Sequence, residues 1–209
     1  MSLSKITEEY INQNPSIRDA LQKGLINYSK LSRQIIKNEN LKNKDFDAIL
    51  VSLTRLENKL KKKKSYQKKI KDLIKLTNLE VKTKVLVCIV EKNTFYKNLI
   101  QLQNEIKLKN NYIHLVEGTS AITIITDQIF EEKIKNLFKN KIIKINKDLV
   151  QLILKSPSSL EEVPGVVGYL YSLFSDKEIN IIETISCWTD TILIIDKKDL
   201  NKALNILDF

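Results

Sequence analysis

The residues best suited to chemistry in this 209-residue chain are Val163-Pro164-Gly165-Val166-Val167. Proline fixes φ and suits the first turn of a helix, where its missing N–H costs nothing. Glycine lets the backbone approach a guest closely. The amides that follow lie unpaired at the positive end of a helix dipole, so a small carboxylate is a natural ligand. This is the chemistry of capture on backbone N–H groups, not of bond making. A purely structural reading stays open, in which Pro164-Gly165 only turns the chain.

Nothing else in the sequence reads as a catalyst. The four glycines, Gly24, Gly118, Gly165 and Gly168, form neither a P-loop nor a dinucleotide fingerprint. The acid pairs Glu8-Glu9, Glu131-Glu132 and Glu161-Glu162 are adjacent, so they need not face each other across a site. His114 is the single histidine and has no Cys, Ser or second His nearby in sequence. A satisfied, partly buried imidazole is expected there. Cys88 and Cys187 both sit in apolar runs and are expected to be buried small hydrophobes. No catalytic residue, metal ligand or cofactor is assigned.

Hydrophobic residues make up 43% of the chain, as expected for a globular fold. No leader peptide is apparent, and no apolar run nears the roughly 20 residues of a membrane span. A cytoplasmic protein with no membrane contact is expected. The charge is unevenly spread. Residues 1–75 hold 18 Lys+Arg against 8 Asp+Glu, and the remainder holds 17 of each. The net +10 therefore lies wholly at the front, which implies two parts with different partners.

The front reads as three helices, at 16–23 with Gly24 as its stop, from Asn27 or Tyr28-Ser29, and from 45 to 60. In the last, Phe46, Ile49, Leu50, Leu53, Leu56 and Leu60 repeat at helical spacing. A polar turn at 38–43 precedes it, as in a helix-turn-helix. Exposed Lys44, Ser52, Arg55 and Asn58 are then candidates for DNA contact, with Lys59, Lys61, Lys62, Lys63 and Lys64 for phosphate. After a short helix near Ile70, Leu73 and Ile74, the texture changes. Strands are predicted at 79–90, 112–117, 121–126 and 141–145, with helices at 98–108 and 130–138. A second set follows: strand 149–154, helix 164–175, strands 179–187 and 191–195, and helix 198–206. Asp190 and Thr191 are placed in the hairpin turn, and Trp188 is expected to pack at the end of its strand.

Pro164-Gly165-Val166, Ile179-Asn180-Ile181, Thr189-Asp190-Thr191 and Asp199-Leu200 with Ala203, Leu204 and Leu207 stand in order. Together they resemble an ACT domain of the type that ends aspartate kinases. Residues 79–148 look like a more diverged copy, and the whole chain resembles archaeal proteins described as predicted regulators of amino-acid metabolism. The resemblance implies an α+β protein. Its parts would be a (winged) helix-turn-helix-like domain at 1–64, a basic linker helix at 65–78, and two ferredoxin-like βαββαβ ACT domains at 79–148 and 149–209. The second lacks its last strand, so the first unit or a second subunit must cover the gap. The resemblance also implies a ligand site of Glu162, Val163, Pro164, Gly165, Val166, Val167 and Asn180, with Glu162 pairing an α-ammonium group. In the first copy Lys92-Asn93-Thr94-Phe95 stands at the equivalent place without Pro-Gly, so that copy is expected to serve as a packing partner. The expected function is an amino-acid-responsive, dimeric transcription regulator. The alternative is a regulatory subunit that docks on an amino-acid biosynthetic enzyme.

Overall fold

The computed structural model describes residues 2–62, 66–94 and 96–207. The chain divides into a helical unit, Met1–Ser65, and a sheet unit, Tyr66–Phe209.

The helical unit holds α1 (Leu3–Gln13), α2 (Pro15–Gln22), α3 (Tyr28–Asn38) and α4 (Phe46–Lys62). Local capping sets its corners. Ser2 caps α1, Asn27 caps α3 through the Lys30 N–H, and Pro15 opens α2. Gly24 and Asn40, both left-handed, end α2 and α3 with N–H bonds reaching back five residues, Leu25 to Ala20 and Leu41 to Ile36. Ile49, Leu53, Leu56 and Leu60 of α4 bury against Tyr10, Ile11, Leu21, Leu31 and Ile35. Two expectations change here. The opening residues form α1, so the unit has four α-helices among the described residues. Residues 2–62 contain no strand, so the wing is absent among them. Once α1 supplies Tyr10 and Ile11, the apolar face of α4 is covered without one.

The sheet unit begins with α5 (Tyr66–Ile74). There follow β1 (Asn78–Glu91), α6 (Tyr96–Leu108), β2 (Ile113–Glu117), β3 (Ala121–Asp127), α7 (Glu131–Phe138) and β4 (Ile142–Lys155). The chain continues through α8 (Val166–Ser175), β5 (Ile181–Cys187), β6 (Asp190–Asp196) and α9 (Leu200–Leu207). The six strands form one curled antiparallel sheet in the order β2-β3-β1-β4-β6-β5. The strands expected separately at 141–145 and 149–154 are one continuous strand, β4. Its first half pairs with the second half of β1, and its second half pairs with Asn78–Lys82 and with β6. The place of the missing last strand is thus taken by the front of β1, from the first unit. Both long strands bend where they change partners, at the left-handed residues Lys84 and Asp148.

Strict alternation divides each strand between two faces. Leu86, Cys88 and Val90 meet α6 and α7, while Val150, Leu152 and Leu154 meet α8, α9 and α5. The helix-free faces meet each other: Val85, Val87 and Ile125 pack with Leu149, Ile153, Ile192 and Ile194. The helix expected as part of a basic linker contributes Ile70, Leu73 and Ile74 to the core beneath α8 and α9. Ile74 is 2% exposed. Ile74→Ala is expected to lower the unfolding free energy of the sheet unit by about 2–5 kcal/mol, measured by urea melts. A helix that served only as a linker would leave the melt unchanged.

Candidate functional site

The turn after β4 is held from both sides. The Ser156 N–H donates to the Thr189 carbonyl (2.9 Å), and the Ser156 hydroxyl lies 3.0 Å from that of Thr77. A 3₁₀ turn, Ser158–Glu162, then leads to Gly165, the residue that caps α8. Gly165 has φ of 93°, a left-handed conformation that favours glycine, and no side chain caps the helix. The first amides of α8 therefore face outward rather than toward a capping group.

They open onto a hollow of about 310 Å³, lined by Leu160, Glu161, Val163, Gly165–Gly168, Ser186 and Trp188. Beside Ser186, directly across the β5–β6 ladder, stands Thr191. Thr191 is 1% exposed, and its hydroxyl has no hydrogen-bond partner. An unpaired buried hydroxyl costs free energy unless a guest or water satisfies it. The arrangement can accept a small anion on N–H groups, offer it the Ser186 hydroxyl and border it with an indole.

Of the expected ligand residues, Val163, Gly165, Val166 and Val167 line this hollow. Glu162 and Pro164 are exposed and do not line it; Glu161 contributes the acid there. Asn180 lies elsewhere, in a separate polar concavity of about 590 Å³ with Lys144, Asn146, Lys147 and Asp196. The helix α8 carries the chain away from the hollow before β5 begins, so Asn180 and Gly165 stand at opposite ends of one helix. Trp188 does not pack at a strand end. It is 69% exposed and borders the hollow. The hairpin turn is Trp188-Thr189, with Asp190 and Thr191 already in β6. Cys88 is buried, but Cys187, at the end of edge strand β5, is exposed.

Beside the start of α6 in the first repeat, a smaller hollow of about 210 Å³ is bordered by Tyr96, Leu99, Leu115, Glu117 and Ile122. The Tyr96 hydroxyl donates to Glu117 (2.6 Å) and the Lys92 ammonium pairs with the same carboxylate (3.3 Å). Tyr96 and then Lys92 hold the Glu117 carboxyl below its usual range.

In the helical unit, Lys44, Arg55, Asn58, Lys59 and Lys61 are exposed. Ser52 is half-buried and donates back to the Ala48 carbonyl (2.7 Å). Lys62 is the last residue of α4, and Lys63 and Lys64 lie outside the described residues. Lys59 pairs with Glu8 (2.7 Å) and Lys61 with Glu57 (2.8 Å). Arg55 makes no ion pair among the described residues. Glu57 also accepts from the Tyr28 hydroxyl, and Lys61 and then Tyr28 hold its carboxyl below the usual range. Burial, followed by Glu57, pushes Tyr28 up to about 12. Across the turn between α3 and α4, Arg33, Lys37, Asn40, Asn43 and Asp47 border an open concavity of about 870 Å³.

No group of three or more His, Cys, Asp or Glu is placed to hold a metal among the described residues, and none of their helices is long and apolar enough to cross a membrane.

No family model and no curated protein matches the chain. Solved structures do. Aspartate kinase from Clostridium acetobutylicum is similar over 62% of this chain and 33% of its own, at 12% identity and a TM-score of 0.52. The regulatory subunit of aspartate kinase from Thermus flavus is similar over 63% of this chain and 95% of its own, at 10% identity and a TM-score of 0.51. Aspartokinase III of E. coli, in complex with aspartate and ADP, is similar over 63% of this chain and 33% of its own, at 10% identity and 0.50. A match of this length exceeds the helical unit, so it reaches into the sheet unit. The likeness is to regulatory aspartate kinase architecture. At these identities it concerns the fold alone, and the chain spans only 33% of the whole kinases.

Thr191→Val removes the unpaired hydroxyl while keeping the branched shape. In the free protein it is expected to raise the unfolding free energy by about 1 kcal/mol, read from urea melts. A loss instead would mean that the hydroxyl already has a partner.

Proposed function

We propose that this chain is a non-catalytic regulator that senses an amino acid or similar small carboxylate through its sheet unit. In this reading residues 79–148 and 149–209 are two ferredoxin-like ACT domains, and the hollow beside α8 is the ligand site of the second. The observation that carries the proposal is the uncapped first turn of α8 at left-handed Gly165, opening onto a hollow beside the unpaired Thr191 hydroxyl. Aspartokinase III, similar to this chain over 33% of its own length, is a protein seen in complex with aspartate, an amino acid of the proposed class. The helical unit, residues 1–64, is read as a helix-turn-helix-like DNA-binding head, joined through 65–78, in a cytoplasmic homodimer. Its support is the net +10 of residues 1–75 and the exposed Arg55 on α4. If about six cations meet phosphate, log affinity falls with log salt at a slope of about −5.

A second reading is favoured by a specific observation. The regulatory subunit of aspartate kinase from Thermus flavus is a separate chain, covered over 95% of its length. In that reading the sheet unit docks on an amino-acid biosynthetic enzyme and the basic head aids association.

Thermal melts against the twenty amino acids test the sensing half. One of them, at about 100 times its Kd, is expected to stabilise the protein by about 2.7 kcal/mol, and Thr191→Val to reduce that gain by about 1 kcal/mol. Flat curves across the set would sink the sensing proposal. Gel shifts with genomic fragments test the head: salt-sensitive binding weakened by Arg55→Ala is expected. Recovery of one stoichiometric enzyme without DNA would instead favour the docking reading.

A further inference from the structure

We propose that α5 is a clasp set by the hollow beside α8: an occupied hollow holds α5 on the sheet unit, and an empty one lets it come away. The proposal rests on the reading of that hollow as a ligand site and names the element through which the site acts.

α5 meets the site twice. In its middle, Ile70 Cδ1 lies 3.5 Å from the point where a Cβ on Gly165 would stand, ordinary van der Waals contact with the residue that caps α8. Just past its last turn, the Thr77 hydroxyl donates to the Leu73 carbonyl (3.2 Å). That leaves the Thr77 oxygen to accept from the Ser156 hydroxyl, 3.0 Å away. The Ser156 N–H in turn holds the Thr189 carbonyl, next to Trp188. Between these ties, Ile70, Leu73 and Ile74 share one buried cluster with Val166, and Leu160 and Val163 pack against it. Leu160, Val163 and Val166 also line the hollow. Three lining side chains therefore touch both the hollow and the cluster that holds α5.

α5 is suited to having two states. It has nine residues, and helices shorter than about 12 residues are marginal in water on their own. Lys68, Lys69, Lys71, Asp72 and Lys75 are exposed, so Ile70, Leu73 and Ile74 carry its attachment. Its release is a local opening, distinct from unfolding of the sheet unit. A carboxylate on the first amides of α8 fixes the turn at Gly165 and stills Leu160, Val163 and Val166, the surface on which α5 docks. It binds the docked form better, and by linkage docking favours the ligand by the same factor. The helical unit ends at residue 65, immediately before α5. Release therefore adds nine residues to the tether between the units, which changes the effective concentration of one at the other.

Amide exchange of the full-length protein, with an equimolar mixture of the twenty amino acids as the probe, tests this. The mixture is expected to slow exchange at 70–77 about fivefold or more, together with 165–170, and to leave α4 unchanged. Ile70 does not line the hollow, yet Ile70→Ala is expected to raise the concentration of mixture that half-protects 165–170 about fivefold, the low end of ordinary coupling. Thr77→Val keeps the side-chain shape and deletes the tie to Ser156; it is expected to move that midpoint in the same direction, and serves if the alanine variant does not fold. Protection confined to 160–191, or a midpoint that the variants leave in place, would overturn the clasp and leave the ligand site standing. No protection anywhere would overturn the ligand site and the clasp with it.

Discussion

Two strands shared by two half-sheets are the constraint on which the rest of the sheet unit depends. β1 and β4 run antiparallel along their length, and each serves one repeat with its first half and the other with its second. Neither is interrupted by a loop. Both bend instead, through register shifts after Lys82 and Val85 and left-handed residues at Lys84 and Asp148. A left-handed conformation costs a non-glycine residue about 1–2 kcal/mol, so the bend is held by what it brings together. It brings together the helix-free faces. An open sheet with helices on one side would leave Val85, Ile125, Ile153 and Ile194 in water; curling buries them, each worth about 1.5–3 kcal/mol.

Within that shared frame the two repeats diverge in chemistry. Each has a strand, a short connection and a helix at the corresponding place. In the second, Gly165 gives a left-handed cap, and the small Gly168 and Ser186 leave the helix start open. In the first, the longer Lys92 and Tyr96 side chains reach Glu117 beside a smaller hollow of about 210 Å³. The two helix starts are thus bordered by different side chains on strands and helices that follow in the same order. That is why a fold shared with aspartate kinase regulatory parts does not by itself locate a ligand. The hollow beside α8 has to be argued from Gly165, Ser186 and Thr191.

Local pattern made much of this legible. The alternation in Leu86–Val90 and Val150–Leu154, and the helical spacing of Leu99, Leu102 and Ile106, correspond to the elements observed. What pattern missed depends on partners distant in sequence. Asn146-Lys147-Asp148 is polar and looks like a break, yet the backbone continues because β1 bends beside it. Ser186 and Trp188 border the hollow only because the β5–β6 hairpin folds back over the α8 turn, tied by Thr189 to Ser156. Asn180 is one residue from β5 in sequence, but ten residues of α8 separate it from Gly165. Cys187 sits in an apolar-looking run but on an edge strand, where one side has no neighbour. The opening helix shows apolar residues at helical spacing, Leu3, Ile6, Tyr10 and Ile11, without a proline or glycine to mark its start.

The basic head shows the same dependence on context. Lys59 and Lys61 are both exposed, both ion-paired and two residues apart, yet they are not equally free to meet a phosphate. The Lys59–Glu8 pair is exposed on both sides, and such pairs contribute little, so Lys59 exchanges one anion for another at small cost. Glu57 is 7% exposed and already accepts from Tyr28. Taking Lys61 away strands that carboxylate without its cation, a cost that rises steeply with burial. Gly24 adds a steric reason: a Cβ there would meet Glu57 Oε1 at 3.2 Å and Lys61 Nζ at 3.6 Å, so the corner between α2 and α3 is fitted around this pair. Lys61 is thus committed to holding α4 against that corner, whereas the exposed Arg55 and Lys44 enter no ion pair among the described residues.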